Sequence, residues 1–286
     1  MPCNPVWLDI CFRCITLVLG VKENMINIGV NLHARKGLSD EEYIKEIANC
    51  GFNATFSGVY DEKRQYEIAD LCAKNGIIYE TIHAPFEYFS INGMWLKGNT
   101  GNRMLERLKK SVDNCVVADV GIMVLHLSSG DIAPPATKTG KERFSELVEY
   151  AASKNVKIAF ENQRKLKNIS WAFETFPKGS NVGFCWDIGH ESCFTPGREY
   201  MPLFGDRILC THIHDNSGKY NADDHLIPFD GKIDYKRKME LLREYGYKGS
   251  LMLELKARNN YDDLTIEEYL QKAAISARKL VEMLDN

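Results

Sequence analysis

The sequence predicts an α/β protein, a single-domain (β/α)8 TIM barrel spanning residues 25–286. Two observations carry this. From Met25 onward, eight short β-rich runs alternate with longer helical patterns. Alternation at this spacing implies parallel pairing with right-handed crossovers. In addition, six of the seven histidines stand at, or just after, the C-terminal ends of those runs, and Asp or Glu stands at three such ends. Chemistry-bearing residues on successive strand ends need a fold that gathers those ends onto one face, as this barrel does.

The predicted strands are residues 26–32, 53–58, 78–83, 121–127, 156–161, 182–187, 208–214 and 250–255. Ser39 opens the first helix with Glu42 three residues on, the pattern of a capping box. Further helical patterns run near 61–75, 100–118, 138–153, 234–245 and 265–284, while the intervals near 170–178 and 195–204 are poorly patterned. Eight units favour a closed barrel over an open doubly wound sheet. No G-x-G-x-x-G follows the first strand, so dinucleotide binding has no support. No internal repeat, low-complexity tract or dividing linker interrupts the alternation.

The 286 residues suffice for one barrel of typical size. A net charge of −3 supplies no strong positive field, which argues against a nucleic-acid partner without excluding a local basic stripe. The nine cysteines are odd in number and lie mostly in apolar runs (Cys50, Cys72, Cys115, Cys185, Cys210). Free thiols there behave as small hydrophobes. The expectation is a reducing, cytoplasmic setting and no disulfide framework. Residues 1–24 read as an N-terminal extension outside the fold. Their apolar stretch from Ile15 to Val21 is too short to span a membrane, and they lack the features of a signal peptide. Cys11-x-x-Cys14 has metal or redox spacing but no second Cys or His pair nearby.

The strand ends carry the chemistry. Glu161 closes strand five and Glu254 closes strand eight, with Asp187 and His212 on the two strands between. A carboxylate in a barrel mouth is costly unless paired or metal-bound. A four-ligand site is the simplest account. Three carboxylates and one imidazole suit one divalent ion such as Mn²⁺, Mg²⁺, Co²⁺ or Zn²⁺. The bland alternatives are a Glu–Lys bridge to Lys256 and an Asp187 that only caps a helix ahead of a surface His190. His212 and His214 are two apart and share one strand face, with His214 nearer the loop and suited to hydrogen bonding. Asp223-x-His225 sits in a loop of about twenty residues, a length that usually marks function. His83 and His126 stand at shaped turns beside Pro85 and Gly130; His33 is given no role. Phe86, Tyr88, Phe89, Trp95, Trp186 and Phe229 are expected to wall a small pocket.

These segments together resemble the xylose isomerase-like TIM barrels, the sugar phosphate isomerase/epimerase and AP endonuclease family 2 group. The matching strings are I-H-A-P at 82–85, H-x-x-x-G from His126, F-E-N at 160–162, D-x-x-H at 187–190, H-x-x-D-N at 212–216, D-x-H at 223–225 and L-E at 253–254. The resemblance covers about residues 25–284. It implies a shared metal site at Glu161, Asp187, His212 and Glu254. It also implies that Glu161 and Glu254 move protons on a ketose, sugar phosphate or related polyol through a metal-stabilised enediolate. His83, His126, His190 and His225 are then assigned to substrate. The first expectation is a sugar isomerase or epimerase, with a small-molecule partner, no membrane, and a homo-oligomer left open. The alternatives are an endonuclease IV-type AP endonuclease with three zinc ions, whose further ligands match His83, His126, His190, Asp223 and His225; a dehydratase or lyase on the same site; and a barrel that only binds a ligand. Against the nuclease stand the acidic net charge, the absence of wedge residues after strands two and three, and Phe229-Asp230-Gly231 where the family often has Gly-x-Gly.

Overall fold

Eight strands, β1 (Ile28–Asn31), β2 (Ala54–Gly58), β3 (Ile78–His83), β4 (Ile122–His126), β5 (Lys157–Glu161), β6 (Val182–Asp187), β7 (Ile208–His212) and β8 (Leu251–Leu253), form one sheet in the order β7-β6-β5-β4-β3-β2-β1-β8. Every pair in that order is parallel. The two ends of the sheet meet: Ile213 bridges Leu253 in parallel, so the sheet closes into a (β/α)8 barrel. This computed structural model describes residues 26–285; the predicted extension 1–24 and Cys11-x-x-Cys14 lie outside them.

Helices fill the crossovers: α1 (Asp40–Asn49), α2 (Glu62–Lys74), α3 (Tyr88–Gly93), α4 (Asn99–Val117), α5 (Lys138–Ser153), α6 (Leu166–Thr175), α7 (Ile188–Phe194), α8 (Met201–Phe204), α9 (Tyr235–Glu244) and α10 (Ile266–Asp285). The expected capping box at Ser39 is present, with both of its reciprocal bonds to Glu42. All eight predicted strands form. The poorly patterned interval near 170–178 overlaps the end of α6 and that near 195–204 contains the short helix α8, while α7 precedes it.

Strand period two sorts the side chains. Leu125, Phe160 and Trp186 point to the core between barrel and helices; Phe160 packs near Phe144 of α5. Their neighbours Val124, Ala159, Cys185 and Cys210 form a separate small cluster inside the barrel. Two residues further along the same four strands stand His126, Glu161, Asp187 and His212, which therefore face the mouth. The six described cysteines are free and buried. Among the described residues no helix is long and apolar enough to cross a membrane.

Candidate metal centre and active site

Glu161, Asp187, His212 and Glu254, from β5, β6, β7 and the end of β8, each offer a ligand atom within 4.8 Å of the others. The converging side chains touch one another and His190, but leave an atom each without a hydrogen bond. Glu161 Oε1, Asp187 Oδ2, His212 Nδ1 and Glu254 Oε2 are buried without a hydrogen bond. Buried polar atoms are normally paired, so four orphans aimed at one point mark a place for a group the chain does not supply. Three carboxylates and an imidazole match a hard or borderline divalent ion. The residues fit such an ion.

Asp187 shows how the local sequence builds the site. It ends β6 and is the N-cap of α7, its Oδ1 accepting from His190 N at 2.6 Å. That leaves Oδ2 without a hydrogen bond and facing the centre, so capping does not preclude a ligand role. The helix turn also returns His190 into the mouth, where it is buried rather than exposed. His190 Nδ1 stands 3.0 Å from Glu161 Oε1 and its Nε2 is 3.7 Å from Asp223 Oδ1. Glu161 Oε2 accepts from His83 at 3.0 Å and His126 at 2.8 Å.

Electrostatics follow from this crowding. Burial works against the charge on Glu161, but the imidazoles of His126 and His212 outweigh it and hold the carboxyl well below its ordinary value. Burial likewise opposes a charged His212, yet Glu254 and Glu161 push it up to about 10. His190 also titrates well above its ordinary value; Asp187 and Asp223 overcome its burial.

The predicted substrate histidines divide. His83 lines an open cavity of about 920 Å³ together with Phe56, Phe86, Glu254 and Lys256. His126, His190 and His225 do not line it and are buried, at 5%, 5% and 2% exposure. His225 is no solvated loop residue: its Nδ1 donates to Glu254 O at 2.9 Å, and Lys256 Nζ donates to its Nε2 at 2.7 Å. His33, without an assigned role, bonds Asp40 at 2.6 Å. The aromatic walls need correction. Phe86 lines the cavity, but Trp95 and Trp186 are core residues. Trp95 packs against Phe144 and Trp171, and Trp186 lies on the outward face of β6 and donates to Glu191. Phe229 borders a separate groove beside Lys279.

Two residues gain weight. His214 is buried with both ring nitrogens unpartnered; its Nε2 lies 3.3 Å from Asp187 Oδ1 and 3.6 Å from Asp223 Oδ1. Gly189 makes room for it, since a Cβ there would stand 2.0 Å from the His214 ring. Period two from His212 was the available signal. Gln163, which no local pattern singled out, places its amide nitrogen 3.1 Å from His126 Nε2 and 3.0 Å from His190 Nδ1. Among the described residues, three further groups that could hold an ion flank the main one: His83–His126–Glu161, Asp187–His190–His214 and His214–His225–Glu254.

A parallel barrel whose mouth gathers carboxylates and histidines defines a class, and the comparisons place the chain within it. The family model of the xylose isomerase-like TIM barrel matches residues 44–280; the chain belongs to that family. An uncharacterized protein of Sinorhizobium fredii is 29% identical over 194 residues, which are 63% of this chain and 61% of that protein, under two thirds of its length. Among solved structures, D-psicose 3-epimerase of Clostridium cellulolyticum superposes with a TM-score of 0.73 at 15% identity, covering 91% of this chain and 99% of that one. The 3-keto-D-glucoside 4-epimerase of E. coli gives 0.68 at 16% identity, covering 89% and 98%. At these identities the two structures share the fold.

Proposed function

We propose that the chain is a divalent-metal-dependent isomerase or epimerase acting on a sugar or sugar phosphate. The observation that carries the reading is the set of four ligand atoms without hydrogen bonds beside a cavity, two of them from glutamates at the ends of β5 and β8. The keto-sugar epimerases of the same fold, by their names, support the substrate class.

Glu161, Asp187, His212 and Glu254 would hold one divalent ion. Such an ion supplies Lewis-acid stabilisation of negative charge on substrate oxygens. The chain does the rest. Glu161 is held ionised by its histidines, so it can accept the proton α to a carbonyl, and Glu254, on the cavity wall, returns it, or the reverse. His83 faces the cavity with both ring nitrogens engaged, on Ala84 O and Glu161 Oε2, and holds Glu161 together with His126 and His190, while His225 supports the Glu254 backbone. Glu161→Gln is expected to keep the fold and to lower exchange of a substrate C–H proton with solvent deuterium at least a hundredfold, the size of a general-base contribution. A panel of ketoses and their phosphates is the assay. Undiminished exchange in the variant, or none on any sugar in the wild type, overturns the proposal.

The flanking ligand groups favour one rival, an AP endonuclease with three zinc ions. Metal analysis of the purified protein separates them: one ion per chain accords with the sugar enzyme, and three zincs with cleavage of abasic-site DNA accord with the nuclease.

A further inference from the structure

The ladder between β5 and β6 stops at the mouth, its last register pair being Glu161 with Cys185. One residue on, a side chain takes over. Asn162 Nδ2 donates to Asp187 O at 2.8 Å, and Asp187 N donates to Asn162 Oδ1 at 2.8 Å. The amide reproduces both halves of a backbone pair, and both residues are fully buried. The device recurs across the mouth. Asn31 Nδ2 donates to Leu255 O at 3.1 Å and Leu255 N donates to Asn31 Oδ1 at 2.7 Å, next to Glu254. A side-chain amide carries a donor and an acceptor in one fork; a carboxylate lacks the donor and alanine lacks both.

The bracket falls where freedom would be most damaging. Asp187 aims one oxygen at the centre and caps α7 with the other. Rotation of its backbone would displace its carboxylate and His190 together. We infer that Asn162 is a positioning residue: it fixes the Asp187 backbone so that the carboxylate meets an ion held with Glu161. The inference rests on the metal reading above.

The test titrates chelator-stripped wild type, Asn162→Ala, Asn162→Asp and Asn181→Ala with Mn²⁺ by calorimetry, and follows amide hydrogen exchange in the ion-free proteins. Asn181 is the control. Its amide also braces backbone, donating to Val148 O at 3.0 Å and Val156 O at 3.2 Å, but at the opposite end of β6. Loss of a group that orients a ligand weakens metal binding about ten- to a hundredfold. Asn162→Ala is expected to show that loss and Asn162→Asp a smaller one, while Asn181→Ala binds as wild type. Exchange at the Asp187 and His190 amides is expected to quicken in Asn162→Ala alone. Wild-type affinity in Asn162→Ala, or an equal loss in Asn181→Ala, overturns the inference. So does failure of both Asn162 variants to fold while Asn181→Ala folds, which would make Asn162 structural only. A wild type that binds no divalent ion refutes the proposed function instead, and unchanged exchange at Asp187 and His190 then overturns the positioning role on its own.

Discussion

His212 concentrates the residue-scale argument. Both of its ring nitrogens are buried without a hydrogen bond, and its ring stacks on Phe56 at 4.5 Å. The carboxylates push it up to about 10 when no ion is present, so it is a cation at neutral pH. A metal needs the neutral imidazole, so binding must expel a proton. Adding an ion to stripped protein near pH 7 is therefore expected to release about one proton per ion in weakly buffered solution. The apparent affinity should rise with pH until it passes the value of about 10 and flatten there. A pH-independent affinity would count against His212 as a ligand. Asp187→Ala removes a proposed ligand and a helix cap together. Metal retention after dialysis should be lost, while the cap costs about 1 kcal/mol of stability in urea unfolding. The convergence of Glu161, Asp187, His212 and Glu254 was legible because strand period two and strand-end position need only local sequence. The roles of Asn162, seen only as part of F-E-N, and of Gln163 were not, because their partners lie 25 to 37 residues away, and no local pattern encodes which group a side-chain amide will meet.

At the scale of elements, the long segment after β7 is held by one carboxylate. Asp215 is fully buried. Its Oδ1 accepts from Asn216 N at 2.8 Å, Lys232 N at 2.9 Å and Ile233 N at 3.1 Å, and its Oδ2 accepts from Phe229 N at 3.0 Å. Gly231 permits the approach, since a Cβ there would lie 2.2 Å from Asp215 Oδ1. This cage pins both ends of the loop that carries Asp223 and His225. Asp215→Asn turns one acceptor into a donor facing amide donors. A bond to a charged group is worth about 1.5–3 kcal/mol, and a loss of that size is expected in urea unfolding, with faster exchange at the Lys232 and Ile233 amides. Unchanged stability would show that the loop closes by other means. The departure at Phe229 has a physical reading here. Its φ is +76°, a conformation that favours glycine, and packing against Tyr235 and under Lys279 offsets the strain. Strands and long helices were readable from their patterns, whereas α3, α7 and α8 were not. Helices of four to seven residues hold too few turns to show a period, and α7 begins inside the strand-end motif itself.

At the scale of the whole molecule the barrel is complete within residues 26–285, since β1 pairs with both β2 and β8. We propose that residues 1–24 are dispensable: a chain starting at Met25 should express, melt and bind metal as the full chain does. The alternation of elements predicted closure but not where closure is weakest. Between β7 and β8 the ladder shrinks to the Ile213–Leu253 bridge, with Ile213 N donating to Met252 O at 2.9 Å and Glu254 N to Ile213 O at 3.0 Å. Below it a side chain substitutes for backbone: Thr211 Oγ1 donates to Ser250 O at 3.0 Å and accepts from Met252 N at 3.3 Å. β8 has only three strand residues to offer, so local strength could not be judged from an apolar run. His212 and Glu254 stand on either side of this seam, 3.5 Å apart at their nearest atoms. An ion shared between them would staple β7 to β8 where the sheet holds least. Ion at a hundred times its dissociation constant stabilises the native state by about 2.7 kcal/mol, which shifts the melting point of a chain this size by several degrees. Chelation is expected to lower the melting temperature by that amount. The accompanying rise in hydrogen exchange should concentrate at the Ile213 and Glu254 amides and spare the β4–β5 ladder. A uniform rise across all eight strands would mean that the ion stabilises the barrel without acting as its seam.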